Sequence, residues 1–435
     1  MKKIKLGFAP TRRSIFSAPD AVKYRGLTAQ RLKELGVDFV DITDINEEGL
    51  LYDDKDVDKI VEKFKKEGVD GLMLPHCNFG TEYVCARLAK KLDVPVLLWG
   101  PLDERPEPNG VRLRDTQCGL FATGKVLRRF QIPFTYLTNC RLNDPVFERG
   151  VKDFLAVCNV VKTFKNIRIL QISTRPFDFW TTMCNEGELL EKFNIQLAPV
   201  PMTELTEEVK TVREDKEKME QMIAYIKDTM VIKIKEEEVE MVAALALAMK
   251  SLVEKYGCQA AAIQCWNALQ TEIGIMPCAA NAILNEQGIP VVCETDIHGA
   301  VTALLAEAAG MDEKRGFFAD WTIRHPDIEN GELLAMADVG CTGKTGTDVS
   351  AGIRTSGKSD CRSKTRRSDT VPLRWRQWRI FTSSWKRKRC GRTERNGNIS
   401  LGRSGKHQTS GSQDCRRTVY SPLCRYSQKC SSGTV

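Results

Sequence analysis

The chain has 435 residues, 42% hydrophobic and 28% charged, a balance typical of globular proteins and long enough for two or three domains. No stretch approaches the roughly eighteen consecutive apolar residues of a membrane span, and the first apolar run is too short for a secretory signal, so a cytoplasmic protein is expected. The net charge of +8 is unevenly held: residues 335–435 carry 22 Lys and Arg against 6 Asp and Glu, so the body before them is acidic.

Residues 1–165 alternate short apolar runs with amphipathic segments. Strands are expected over 4–9, 37–42, 71–75, 94–99 and 134–137, and helices over 21–35, 54–67, 81–92, 116–129 and 146–163. Strands that are apolar throughout, each followed by a helix, indicate a parallel sheet covered on both faces. Gly-Val-Asp after the first two helices marks their ends. A second α/β domain, 166–334, restarts the pattern with strands over 167–172 and 194–199 flanking a helix over 186–193. The charged stretch 203–238 reads as a solvated helix face. Helices over 239–256, 276–286 and 299–309 follow, with strands over 260–264 and 289–293 among them. The fold class is thus α/β with two parallel-sheet domains.

After Leu334 the periodicity disappears. Residues 335–435 are rich in Ser, Arg, Gly, Thr and Cys and offer little apolar surface to offset the entropy of ordering, so a basic tail of low order is expected there. The sixteen cysteines have irregular spacing with no zinc pattern, which points to buried thiols in a reducing compartment. GxGxxG, GxxxxGK[ST] and HExxH are all absent, leaving a nucleotide-phosphate loop without support.

Ligands of open parallel sheets bind at the carboxyl ends of the strands. The apolar run 289–293 ends in Glu294, Asp296 and His298, and a second run, 316–319, ends in Asp320. Glu294 and Asp320 are therefore expected at the ends of adjacent strands, as a divalent-metal or proton-transfer site requires. The alternative is that they cap a helix or start a turn, a role that suits Asp296 better because it lies three residues before Gly299. Arg13, with Arg12, follows the first strand and is a candidate for a hydroxylated or anionic ligand, or merely solvates a loop. His76 and Asn78 follow the third strand, and Trp266 opens the segment after 260–264. All are candidate substrate contacts. Against that, His76 has a structural hydrogen-bonding role as its alternative, Asn78 a local cap and Trp266 partial core.

Several segments, GFAPTRR, DGLMLPHCNFGTE, VPVLLWGPLDE, CWNALQTEIGIMPCAANAILNEQGIPVVCETDIHGA and GFFADWT, together resemble the L-fucose isomerase and L-arabinose isomerase superfamily, specifically its shorter L-fucose isomerase-like members, over residues 3–334. The resemblance implies two N-terminal α/β domains and a β-rich C-terminal domain, homo-oligomers, and manganese-dependent interconversion of aldose and ketose sugars. It assigns Glu294 and Asp320 as metal ligands and as proton-transfer groups. No histidine here matches the family's third ligand. Carboxylate oxygens suit a hard divalent cation, and a pair of carboxylates near C1 and C2 can move protons between carbon and oxygen.

The tail departs from that pattern. Residues 372–386 and 416–430, back-translated and shifted by one base, yield segments resembling the family's C-terminal domain, in the right order and frame. A single-base frameshift near codons 334–345 is the expectation, and with it weak or no isomerase activity of the printed chain. Two other functions compete: a sugar-binding protein without chemistry, and a basic-tailed nucleic-acid-binding protein.

Overall fold

The structure is a computed structural model that describes residues 3–230, 232, 234–311, 315, 316, 318–324 and 333–339. All of them belong to one compact unit, Met1–Arg374. The expected low-order tail lies, beyond Val339, outside the described residues.

The first domain runs β1 (Lys5–Phe8), α1 (Ala18–Glu34), β2 (Asp38–Val40), α2 (Val57–Lys66), β3 (Gly71–Pro75), α3 (Glu82–Leu92), β4 (Val96–Trp99), α4 (Thr116–Arg129), β5 (Phe134–Tyr136) and α5 (Pro145–Phe164). Its strands form one parallel sheet in the order β2-β1-β3-β4-β5. β3 and β4 are buried at every residue because helices cover both faces, which explains their unbroken apolar sequences. One face packs Leu72, Leu74, Val84, Leu88 and Leu98 together, and the other packs Leu6, Phe8, Met73, Leu97, Trp99, Phe147 and Phe154. Gly36 and Gly68, just beyond α1 and α2, have φ of +70° and +65°, the left-handed conformation that ends a helix most cheaply at glycine.

The second domain runs β6 (Arg168–Ile172), α6 (Glu186–Phe193), β7 (Gln196–Val200), α7 (Met202–Glu214), α8 (Lys216–Thr229), α9 (Glu236–Lys255), β8 (Ala260–Ile263), a π-helix (Cys265–Leu269), the single turn α10 (Gln270–Glu272), α11 (Cys278–Glu286), β9 (Val291–Val292) and α12 (Ile297–Ala309). Its parallel sheet has the order β7-β6-β8-β9. The charged stretch expected to be a solvated helix face is two helices. Their charges face water while Leu205, Val209, Met219, Met222 and Ile226 are buried against α9. α5 and α12 pack together, and the buried Asn159 donates from Nδ2 to the Ala308 carbonyl at 2.9 Å.

β10 (Phe318–Arg324) and β11 (Leu333–Val339) form an antiparallel pair of their own. This corrects two expectations. Asp320 does not end a strand of the parallel sheet but lies inside β10, opposite Met336. The strand continues past it because Trp321, Thr322 and Ile323 are aromatic or β-branched and favour extended backbone. β11 likewise runs past Leu334 to Val339, so regular structure extends into the segment expected to lack it.

Candidate active site

Both parallel sheets reverse strand order at one point, between β1 and β3 in the first and between β6 and β8 in the second. A crevice opens beyond the carboxyl ends of the strands at such a point.

At the first crevice the chain after β1 is tied to the chain after β3. The buried Asn78 accepts from the Arg13 amide at 2.9 Å and from the Phe79 amide, and donates to the carbonyls of Arg13 and Ser17, each at 3.2 Å. Its hydrogen-bonding capacity is thereby filled by backbone. His76 is fully buried, with Nδ1 3.0 Å from the Leu74 carbonyl and Nε2 2.8 Å from Thr123 Oγ1. A carbonyl only accepts, so Nδ1 carries the proton and Nε2 accepts from the threonine. Burial lowers the His76 pKa to about 4, which keeps the ring neutral. Gly80 packs on this ring, where a Cβ would come within 2.4 Å of His76 Cδ2. Arg13 is the one candidate here with an accessible head group: its guanidinium lies 4.3 Å from the Phe79 ring centroid and 3.8 Å from Glu82 Oε2. Arg12 pairs with Glu48 and lies over the Tyr52 ring.

The second crevice holds the backbone irregularities. Ser173, directly after β6, has φ +64°, and Glu294 and Thr295, two and three residues past β9, have φ +60° and +53°. Left-handed backbone costs a non-glycine residue about 1–2 kcal/mol, and a β-branched residue such as Thr295 is a marked outlier there. Two residues past the end of β8 the π-helix begins, a feature that occurs often at functional sites. Three neighbouring strands thus end in conformations that are unfavourable on their own. Hydrogen bonds hold them together: Ser173 Oγ donates to Gln264 Oε1 at 2.7 Å, the Thr295 amide to the Ile263 carbonyl at 3.1 Å, and Thr295 Oγ1 to the Thr174 carbonyl at 3.1 Å.

Glu294 sits half-buried at this edge. Asp296, two residues on, is the N-cap of α12, accepting from the Gly299 amide at 2.9 Å. Trp266, in the π-helix, is 40% exposed and packs against Phe179 with ring centroids 5.6 Å apart. Phe177 and Trp180, on the loop after β6, are more exposed still. The buried thiols of Cys265 and Cys293 form a small cluster on which Phe318 packs, so β10 starts beside the ends of β8 and β9. Asp320 is two residues farther along that strand, roughly 7 Å at the rise of extended chain. The side chain of Asp320 lies outside the described residues.

The structure therefore brings Trp266 and Glu294 to one sheet edge and Arg13, His76 and Asn78 to another. Ser173, Gln264 and Thr295 were not singled out in the sequence; their only signal is that each stands at or just past the end of an apolar strand. Among the described residues no group of three His, Cys, Asp or Glu side chains is placed to hold a metal, and no helix is long and apolar enough to cross a membrane.

Residues 7–165 match the N-terminal domain of the fucose/sulfoquinovose isomerase family. Among similar curated proteins, the sulfoquinovose isomerase of Alkalicoccus urumqiensis is 26% identical over 215 residues, covering 49% of this chain and 48% of its own length. The sulfoquinovose isomerase of Priestia megaterium is 23% identical over 270 residues, covering 62% of this chain and 59% of its own length. The chain thus spans about half to three-fifths of the length of these curated relatives. The first domain is thus similar to the N-terminal domain of the fucose/sulfoquinovose isomerase family, and in this chain a second parallel α/β domain follows it.

Proposed function

We propose that this chain is built as a metal-dependent aldose–ketose isomerase, with the second crevice as its active site. The observation that carries this reading is the half-buried carboxylate of Glu294, held in left-handed backbone at a strand end beside two other irregular strand ends. Unfavourable backbone of this kind concentrates at active sites, where the surrounding structure fixes it.

Aldose–ketose interconversion moves one proton from C2 to C1 and another from the C2 oxygen to the C1 oxygen. Glu294 and Asp320 are the groups assigned to these transfers, one carboxylate to act on carbon and the other on oxygen. Both are hard oxygen donors and suit Mn2+ or a similar divalent cation, which when bound would polarise the sugar carbonyl. Two donors do not complete such a site. His76 is enclosed in the first domain, His298 is exposed on α12, and His325 and His407 lie outside the described residues. Trp266 offers a partly exposed ring as a wall for the sugar, and Arg13 an accessible guanidinium, while His76 and Asn78 shape the loop that carries Arg13.

The relatives' name makes sulfoquinovose the first aldose to try, alongside neutral aldoses such as L-fucose and L-arabinose. The test is an aldose panel with Mn2+ and with a chelator, on the chain and on Glu294→Gln. Ketose formation that needs the metal and Glu294 supports the reading. Sugar binding that is indifferent to both supports instead a binding protein without chemistry. The alternative of a nucleic-acid-binding tail concerns residues outside those described.

A further inference from the structure

Glu294 and Thr295 occupy left-handed backbone in succession, and Thr295 is 4% exposed. Two bonds hold Thr295 to two different strands. Its amide reaches the Ile263 carbonyl at the end of β8, and its hydroxyl reaches past β8 to the Thr174 carbonyl beyond β6. The first acceptor is the last residue of the buried strand β8, and the second is backbone two residues past the end of β6. A threonine is also a poor choice for φ near +53° unless its side chain has a task there, because β-branching makes that conformation costlier than for asparagine or glycine.

We propose that Thr295 is a positioning residue for Glu294: its hydroxyl braces the turn across the sheet and thereby fixes where the Glu294 carboxylate stands. This rests on the isomerase reading for its kinetic consequence but not for the brace itself. The Thr174 carbonyl fixes the hydroxyl, the hydroxyl fixes the Thr295 backbone, and the peptide shared with Glu294 carries that constraint to the acid. Loss of the hydroxyl leaves the turn free to relax toward ordinary backbone, which moves the carboxylate away from the reacting carbons.

Thr295→Val keeps shape and branching and removes the hydroxyl, and Thr295→Ser removes the branch and restores the hydroxyl. In the full-length protein, faster amide hydrogen exchange is expected at residues 294–296 in the valine variant, with protection elsewhere unchanged and restored by serine. Where turnover is measurable, kcat is expected to fall about 10²-fold with KM little changed, the order expected for a displaced catalytic group. Serine should rescue it. Unchanged exchange in the valine variant, or serine failing as badly as valine, overturns the brace; should the valine variant not fold, Thr295→Ala replaces it. Absence of turnover by the unaltered protein with every aldose counts against the isomerase reading alone, because the exchange measurement needs no activity.

Discussion

Asp296 Oδ1 accepts from the Gly299 amide at 2.9 Å, which makes Asp296 the cap of α12 and separates it in role from Glu294 two residues earlier. Removing a cap of this kind costs about 1 kcal/mol. Asp296→Ala is expected to lower stability by that amount in denaturant titration, with Asp296→Asn costing less because an amide oxygen can accept the same bond. A loss of several kcal/mol would mean that the carboxylate holds more than the helix end.

Glu294→Gln and Asp320→Asn address the proton transfers. Each keeps size and removes the base, so a loss of at least about 10²-fold in kcat is expected for aldose turnover. The denaturation midpoint of Glu294→Gln should stay near that of the parent protein, since a half-buried carboxylate at a strand end is not core packing. Undiminished turnover in both variants would remove the pair from the mechanism.

His76 makes stability fall in acid. Burial lowers its pKa from 6.5 to about 4, so between those values the unfolded chain binds a proton that the folded chain refuses. Its contribution is complete above 6.5 and is lost as pH falls toward 4, amounting to about 3 kcal/mol at full extent. His76→Gln retains a donor and an acceptor but does not titrate. Denaturant titrations from pH 7.0 to about 4.5 are expected to show a shallower decline for the variant than for the parent, and parallel curves would contradict the burial argument.

Gly119, in α4, stands against the turn after β3. A Cβ there would fall 1.7 Å from the Phe79 carbonyl oxygen, and that atom is backbone in the same turn as Asn78. Gly119→Ala therefore cannot be absorbed by a side-chain rotation. Destabilisation of about 1–3 kcal/mol or more is expected, despite alanine's better helix propensity. Gly26, in α1, has open space around it and serves as the control. Gly26→Ala should be neutral to stabilising in the same thermal melts.

The single-base shift expected near codons 334–345 predicts that restoring the frame raises aldose turnover, by supplying the histidine donor that the family resemblance implies. Resequencing codons 334–345 checks the premise directly. An intact frame encoding the printed tail, together with metal-dependent turnover by the printed chain, would contradict it.

Much of the fold was legible in sequence because its determinants are local. The runs at β3 and β4 are apolar at successive positions, since helices cover both faces, and a glycine that ends a helix announces itself as at Gly36 and Gly68. Glu294 could be singled out for the same reason: an acid that breaks an apolar strand falls at the sheet's carboxyl edge. Asp320 could not be placed this way, because an apolar run followed by an acid looks the same whether the strand ends or continues into Trp321 and Ile323.

Sequence by itself thus determined two α/β domains, their strands and the acid at the end of β9, all properties carried by neighbours along the chain. Only the tertiary structure decided that β6 and β8 adjoin where the strand order reverses, that Glu294 and Thr295 are left-handed, and that Thr295 bonds across β8 to Thr174. It also enclosed His76 and engaged Asn78. The reason is physical: hydrogen bonds and burial depend on partners that are dozens of residues distant in the chain, and backbone held against its preference leaves no trace in composition or periodicity.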